Sequence, residues 1–385
     1  MKKIWKVVAS TLAMAFCFTG LFACDGDDKK NNTTKGGDGV IGGKYTEVTS
    51  EKQKETFTEN LAKIDGNALL GDMDAADWAR GLSFTWKNEV SYACGQDNFN
   101  TKGNGALNMY VANGTEGYDF TAAIDMAQSL VASEPMAQSF GIYKGTGDAK
   151  VELKEKIYFD MANLYFDTAL TGENSDIESI QGMINGKKKM AVQDIVEVVM
   201  MFMNGPGMGG PEGSAPMAAV LDPEAVSEVA MILGVLDAYK VEVSADYSDG
   251  LKIKLETSDE TWDLLQTAIT GLLGQQMGGE MLNTVTSVLG LMELDMELYV
   301  HIAKSGELKA VAMNVEAEID TVSDTDTESD GEKVNFKVDL SFNLTVNDKK
   351  VTLPENIATD TNYEYVDIKA LVEGLMSGEG GAPIE

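Results

Sequence analysis

Cys24 has the most distinctive chemical setting in the chain. Leu21-Phe22-Ala23 precedes it, so its thiol follows a small residue, and an apolar run from Val7 to Phe22 leads up to it. Three lysines stand within the first six residues. Positive charge, a short apolar run and a small residue, in that order, are typical of a secretory signal, and the run is too short for a membrane-spanning helix. We therefore expect residues 1–23 to be a signal peptide and Cys24 to begin the mature chain.

The Leu21-Phe22-Ala23-Cys24 sequence resembles the lipobox of bacterial lipoproteins. In that family the cysteine is lipidated on its sulfur and becomes the N-terminus. The resemblance implies a lipoprotein signal peptide, a fatty-acyl anchor such as palmitate on Cys24, and a place in the cell envelope on the extracytoplasmic side of a bacterial membrane. Cys17 is a poorer candidate because Phe16 stands where a small residue is needed. An ordinary secretion signal with a coincidental cysteine is the alternative, and which membrane carries the chain stays open.

The charge of the chain limits its partners. There are 62 acidic and 30 basic residues, which gives a net charge of -32, and removal of the three N-terminal lysines takes it to -35. Nucleic-acid binding needs a basic surface, so no nucleic-acid partner is expected. Anionic lipid head groups also repel such a surface, so we expect the N-terminal lipid to hold the protein at the membrane. The oligomeric state stays open.

Residues for catalysis or metal binding are scarce. Only Cys94 remains as a thiol in the folded region, where we expect a small buried hydrophobic residue. A lone histidine, His301, cannot build the common metal sites, and no Gly-x-Ser-x-Gly, His-Glu-x-x-His or Walker motif occurs. The acidic run 320–332 has the alternating carboxylates of a calcium loop, but Lys337 stands where such a loop needs glutamate. We therefore predict no enzyme activity, no cofactor and no metal site, and calcium binding by the acidic loop stays open.

Composition divides the mature chain into three parts. Residues 24–48 are polar and predict a lipidated, solvated tether. Residues 49–376 predict a single domain, whose first helix starts near Thr49 or Ser50 and buries Phe57. Residues 377–385 predict a flexible tail.

Alternation of apolar and polar residues predicts antiparallel strands with one face in water. The stretch 150–170 predicts a hairpin with its turn at Met161 to Asn163. The remaining predicted strands lie at 82–92, 106–112, 118–126, 240–247, 251–257, 296–303, 308–319, 334–346 and 350–353.

Helical spacing returns in the middle of the chain. Apolar, Met-rich helices are predicted at 190–203, after Asp222-Pro223, after Ser258 and at 281–291, with a Gly/Pro-rich loop at 204–216. Met is flexible and suits surfaces that fit variable apolar partners. We predict an α+β fold: a curved antiparallel sheet, open as a half-barrel, with the apolar helices packed on its concave face.

This order of elements, with the closing Val351-Thr352-Leu353-Pro354, resembles the lipoprotein-carrier superfamily, which includes the bacterial LolA and LolB carriers and the mycobacterial LppX and LprG lipoproteins. The resemblance implies that a lipid or acyl chain binds between sheet and helices, or is transferred from there. The alternative is a cargo-free surface or structural lipoprotein that acts through protein or glycan contacts. The predicted ligand cavity is lined by Met190, Val199, Met203, Leu233, Trp262, Leu265, Ile269, Leu272, Met281 and Leu289.

Overall fold

The computed structural model describes much of the predicted domain. The described residues are 41, 44–50, 52–53, 56–57, 59, 71, 75, 77–113, 118–195, 197, 240–244, 250–257, 262, 266, 290–322 and 333–369. Within these ranges, thirteen strands form one sheet. They are β1 (Tyr45–Glu47), β2 (Ala79–Cys94), β3 (Asp97–Asn113), β4 (Tyr118–Ala132), β5 (Ala149–Phe159), β6 (Asn163–Glu173), β7 (Gly186–Ala191), β8 (Lys240–Ser244), β9 (Leu251–Glu256), β10 (Glu293–Ile302), β11 (Leu308–Val322), β12 (Lys333–Asn347) and β13 (Glu364–Tyr365).

The sheet consists of two antiparallel meanders joined side by side. Strands β2 to β7 follow one another in one meander, and β8 to β12 do so in the other. An antiparallel ladder between β12 and β2 makes them one open sheet. β1 extends the edge at β8, and β13 extends the opposite edge as a parallel partner of β7. The chain between β7 and β8 therefore links strands near opposite edges of the sheet.

Alternation along the strands gives the sheet two unlike faces. In β2, Trp86, Val90 and Tyr92 are buried on one side, while Thr85 and Lys87 are exposed on the other. The register carries the first side across all the neighbouring strands. We call the side of Trp86 the apolar face and the opposite side the polar face. The predicted one-sided, antiparallel sheet is thus confirmed.

One end of the apolar face, which we call the upper end, is sealed by a short helix. Helix α1 (Glu134–Ser139) packs Met136 and Ala137 there, with Val90 and Phe99 from the sheet, and all four side chains are at most 2% exposed. Cys94 belongs to the same cluster and is buried, as predicted.

The first predicted helix begins where the sequence indicates. Ser50 and Gln53 form a capping box, in which the Ser50 backbone N–H donates to Gln53 Oε1 at 2.9 Å and the Gln53 N–H donates to Ser50 Oγ at 3.3 Å. Residues 52, 53, 56, 57 and 59 are helical. Phe57 is 4% exposed and packs against Leu251 and its neighbours on β9. β1, however, lies within residues 24–48, which the sequence predicts to be a tether.

The predicted strand at 350–353 is wrong. β12 already has β11 on one side and β2 on the other, so no free edge remains for a hairpin partner. The chain instead runs along the polar face, where Leu353, Ile357 and Tyr363 pack against Tyr165. It then forms β13 beside β7.

The local elements agree with the prediction in one case and differ from it in two. The predicted hairpin is confirmed as β5 and β6, with Met161 in the left-handed region at φ 71°. The stretch 186–191, however, pairs with β6 as β7, so the helix predicted from Met190 begins only after the strand. Helices α1 and α2 (Glu178–Ile184) were not predicted, because each is too short to show helical periodicity.

Candidate functional site

The residues predicted to line a cavity do not form a described cluster. Met190 lies in β7 opposite Leu164, and it is half-buried. Trp262 is helical, and its indole N–H donates to the backbone carbonyl of Met292 at 3.0 Å. The other predicted cavity residues, and Cys24, lie outside the described residues: Val199, Met203, Leu233, Leu265, Ile269, Leu272, Met281 and Leu289.

The apolar face itself provides a continuous apolar surface. One row of cross-strand partners runs through ten adjacent strands, and every member is apolar. In order across the sheet, this apolar row is Val243, Ile253, Val300, Val311, Leu344, Phe84, Leu107, Ile124, Ile157 and Phe166. Cross-strand contacts of this kind stabilise a sheet, but a soluble domain must also cover such a row or place a ligand on it.

The apolar row is less enclosed than the upper end of the same face. Ile253, which lies beneath Phe57, is 1% exposed, and the other nine side chains are only half-buried. Near the middle of the row, the Phe84 ring stacks on Trp86 with centroids 5.3 Å apart and on Phe342 at 6.0 Å. Aromatic rings arranged in this way present a broad surface to an acyl chain or to another apolar group.

Six residues interrupt the apolar face between its sealed end and the apolar row. We call them the polar track: Asn88, Thr101, Gly103, Gln128, Glu155 and Thr168. Gly103 pairs with both Asn88 and Gln128 across the strands, and Glu155 pairs with Thr168. The Gln128 amide donates to the hydroxyl of Thr101, which is 1% exposed.

Two oxygens of the polar track are buried without a hydrogen bond. Within the described part of the chain, neither Asn88 Oδ1 nor Gln128 Oε1 has a partner. Both oxygens lie directly over Gly103, so close that a Cβ atom at this position would come within 3.0 Å of each of them. A buried acceptor without a donor costs about 1–3 kcal/mol, so this arrangement needs a physical explanation.

Glu155 adds a carboxyl group to the same track. Burial raises its pKa, and the hydrogen bond that the Thr168 hydroxyl donates at 3.0 Å only partly offsets this effect. Burial acts in this way because it disfavours the charged form of a carboxyl. The track is therefore rich in acceptor oxygens, and Glu155 is held in an apolar setting.

The polar face carries a different kind of buried cluster. Lys254 lies 3.0 Å from Glu297, 3.9 Å from Glu242 and in contact with Glu256. Glu297, which is 7% exposed, also accepts a hydrogen bond of 3.2 Å from the Tyr299 hydroxyl. Burial lowers the pKa of Lys254, but its hydrogen bonds to the carboxylates outweigh this and raise the pKa.

A cavity of about 280 Å³ also opens beside the polar face, near the start of β10. Glu293, Asp295, Glu316, Glu318 and Lys337 are among the residues that line it. Its charged walls do not suit an acyl chain, and it is separate from the apolar row.

The described residues contain no group of three potential metal ligands. In the described ranges, no helix is both long and apolar enough to cross a membrane.

The sequence analysis does not predict the polar track, although the strand pattern contains an indication of it. Asn88 interrupts the inward series Phe84, Trp86 and Val90, and Gln128 interrupts a similar series in β4. A polar residue at an inward position of a strand indicates either a buried partner or a site.

No model of a known protein family matches the chain, and no curated protein is similar enough to count as a relative.

Proposed function

We propose that this protein is a lipid-anchored, extracytoplasmic lipoprotein that binds or transfers a hydrophobic ligand on the apolar face of its sheet. The apolar row carries the proposal, because ten adjacent strands contribute to it and nine of its side chains are half-buried. The lipobox supplies the membrane anchor in this account, and the ligand is a lipid or an acyl chain.

The connectivity of the sheet supports this proposal. The Met-rich part of the sequence lies between β7 and β8, which are near opposite edges of the sheet. Ten strand spacings of about 4.8 Å separate β8 from β7 along the sheet, so the Met-rich sequence joins two distant strands. In the proposed architecture the sheet is a curved half-barrel, the apolar helices lie on its concave apolar face, and the ligand binds between the two layers.

Native mass spectrometry of the protein extracted from its own membranes tests the proposal. We expect one bound lipid in addition to the covalent anchor, and it should dissociate on gentle activation. A Cys24→Ser variant should lose the anchor mass and membrane retention while keeping the bound ligand. Protein that carries only the covalent anchor, under conditions that preserve complexes, would contradict ligand binding.

The cavity on the polar face supports a second candidate, a cargo-free lipoprotein that acts through protein or glycan contacts. Its charged lining fits a hydrophilic partner and not a lipid tail. Charge-reversing Glu316→Lys and Glu318→Lys substitutions distinguish the two candidates. They should abolish capture of an envelope partner under the second candidate and leave lipid content unchanged under the first.

A further inference from the structure

We propose that the polar track selects the ligand by its head group, and that it binds an amphiphile whose head group donates hydrogen bonds. This inference rests on the proposed function and adds the chemical class of the ligand. The shared chemistry is a hydroxyl or ammonium group attached to an acyl chain.

The unpaired oxygens show what the head group must supply. Asn88 Oδ1 and Gln128 Oε1 converge above Gly103, and neither meets a donor anywhere in the described ranges. Each is buried, so the missing hydrogen bond is costly in the ligand-free state. A donor placed above Gly103 would satisfy both oxygens at once.

One hydrogen bond fixes the orientation of the Gln128 amide. The Gln128 amide N–H already donates to Thr101, which orients the Gln128 oxygen away from that hydroxyl and towards Gly103. Thr101 is 1% exposed, so the anchor of this amide is well enclosed. Gly103 is needed because a Cβ atom at this position would collide with both oxygens.

The charge of the track opposes an acidic head group. Glu155 lies on the same face, on the strand next to Gln128, and contributes a further acceptor or a negative charge. Lys188 is on this face at the edge of the sheet, but it forms an ion pair with Glu364 at 3.8 Å. A carboxylate or phosphate would therefore meet acceptors where it needs donors.

The polar track lies next to the apolar row, so one ligand can contact both surfaces. The sealed cluster under α1 lies on one side of the track, and the apolar row lies on the other. A head group above Gly103 leaves the apolar row, with Phe84 and Leu107, for the acyl chain. Each half of an amphiphile would then contact the surface that matches its chemistry.

Binding of three probes with equal twelve-carbon chains tests the inference: monododecanoylglycerol, dodecylamine and dodecanoate. Each is titrated, below its critical micelle concentration, into delipidated full-length protein at about 0.5 M salt, which screens the long-range effect of net charge. We expect the glycerol ester and the amine to bind at least tenfold more tightly than dodecanoate. The Asn88→Leu and Gly103→Ala variants should reduce that preference to less than threefold, while Gly182→Ala, in an open position on α2, should keep it.

The possible results distinguish a failure of ligand binding from a failure of head-group selection. If no probe binds to the wild-type protein, the proposed function and the head-group inference both fail. If all three bind with similar affinity, or if the preference survives in Asn88→Leu and Gly103→Ala, the apolar face binds acyl chains but the polar track does not select them. Thermal unfolding of each variant shows whether a lost preference comes from a lost fold.

Discussion

The Lys254 cluster on the polar face and the polar track on the apolar face differ in whether their buried polar atoms have partners. On the polar face, Lys254 is surrounded by carboxylates, and Glu297 accepts hydrogen bonds from Tyr299 and Asn314. On the apolar face, the oxygens of Asn88 and Gln128 lie together over Gly103 and meet no donor within the described residues. A satisfied cluster contributes to folding, whereas an unsatisfied one is explained more readily by a ligand.

Removal of Lys254 should have the largest effect on the free energy of unfolding. Lys254→Met leaves Glu297 buried without its cation, so we expect the free energy of unfolding to fall by about 3 kcal/mol. Lys154→Met, at an exposed position of β5, should change it by less than about 0.5 kcal/mol. Urea unfolding followed by circular dichroism measures both. Equal stability of the two variants would show that the Lys254 cluster is not structural.

The Gly103→Ala substitution should have a moderate effect on the free energy of unfolding. Gly103→Ala forces the Gln128 and Asn88 side chains to move, and we expect a loss of about 1 kcal/mol in the free energy of unfolding. Gly182→Ala is the control, because it lies in open space on a helix and should gain about 0.5–1 kcal/mol. A gain in both variants would mean that the space above Gly103 is not restricted.

Removal of an unpaired acceptor should stabilise the ligand-free protein, in contrast to removal of Lys254. Asn88→Leu replaces a buried oxygen without a donor by an apolar group of similar size, so we expect a gain of up to about 1 kcal/mol. The same unfolding measurement on delipidated protein tests this expectation. A loss of more than about 1 kcal/mol would indicate that Asn88 has a structural role and that its oxygen is satisfied.

The smallest expected effect is on the pH dependence of stability, and it follows from substitution of Glu155. Burial raises the pKa of Glu155, so the folded state holds this proton more tightly than the unfolded state does. The carboxyl therefore opposes folding above its folded pKa and ceases to do so as the pH falls below its ordinary value of 4.5. Glu155→Gln should be the more stable protein at pH 7, and its advantage should vanish near pH 4.

Glu152→Gln provides the matched control, since Glu152 is exposed on the polar face of the same strand. Parallel pH profiles for both variants would show that Glu155 is not held in an apolar setting.

Much of the sheet could be predicted from the sequence, because alternation in β2, β5 and β12 reflects one buried and one solvated face. The strand order could not be predicted, since the β12–β2 ladder depends on contacts between distant parts of the chain. For the same reason, the sequence predicts a strand at Lys350–Leu353, although β11 and β2 already occupy both edges of β12. At the site, the polar residues could be seen, but the convergence of Asn88 and Gln128 on Gly103 appears only once the register is known.

The most direct test of ligand binding on the apolar face uses Trp86, which lies on that face and is 6% exposed. In protein produced without residues 1–23, and therefore without Trp5, and with Trp78 and Trp262 replaced by Phe, a monoacylglycerol with a brominated chain should quench Trp86 fluorescence by more than half at saturation. Moving the indole to the opposite face of the same strand, with Trp86→Phe and Thr85→Trp, should abolish the quenching. Equal quenching in the two proteins, or none in either, would contradict the account.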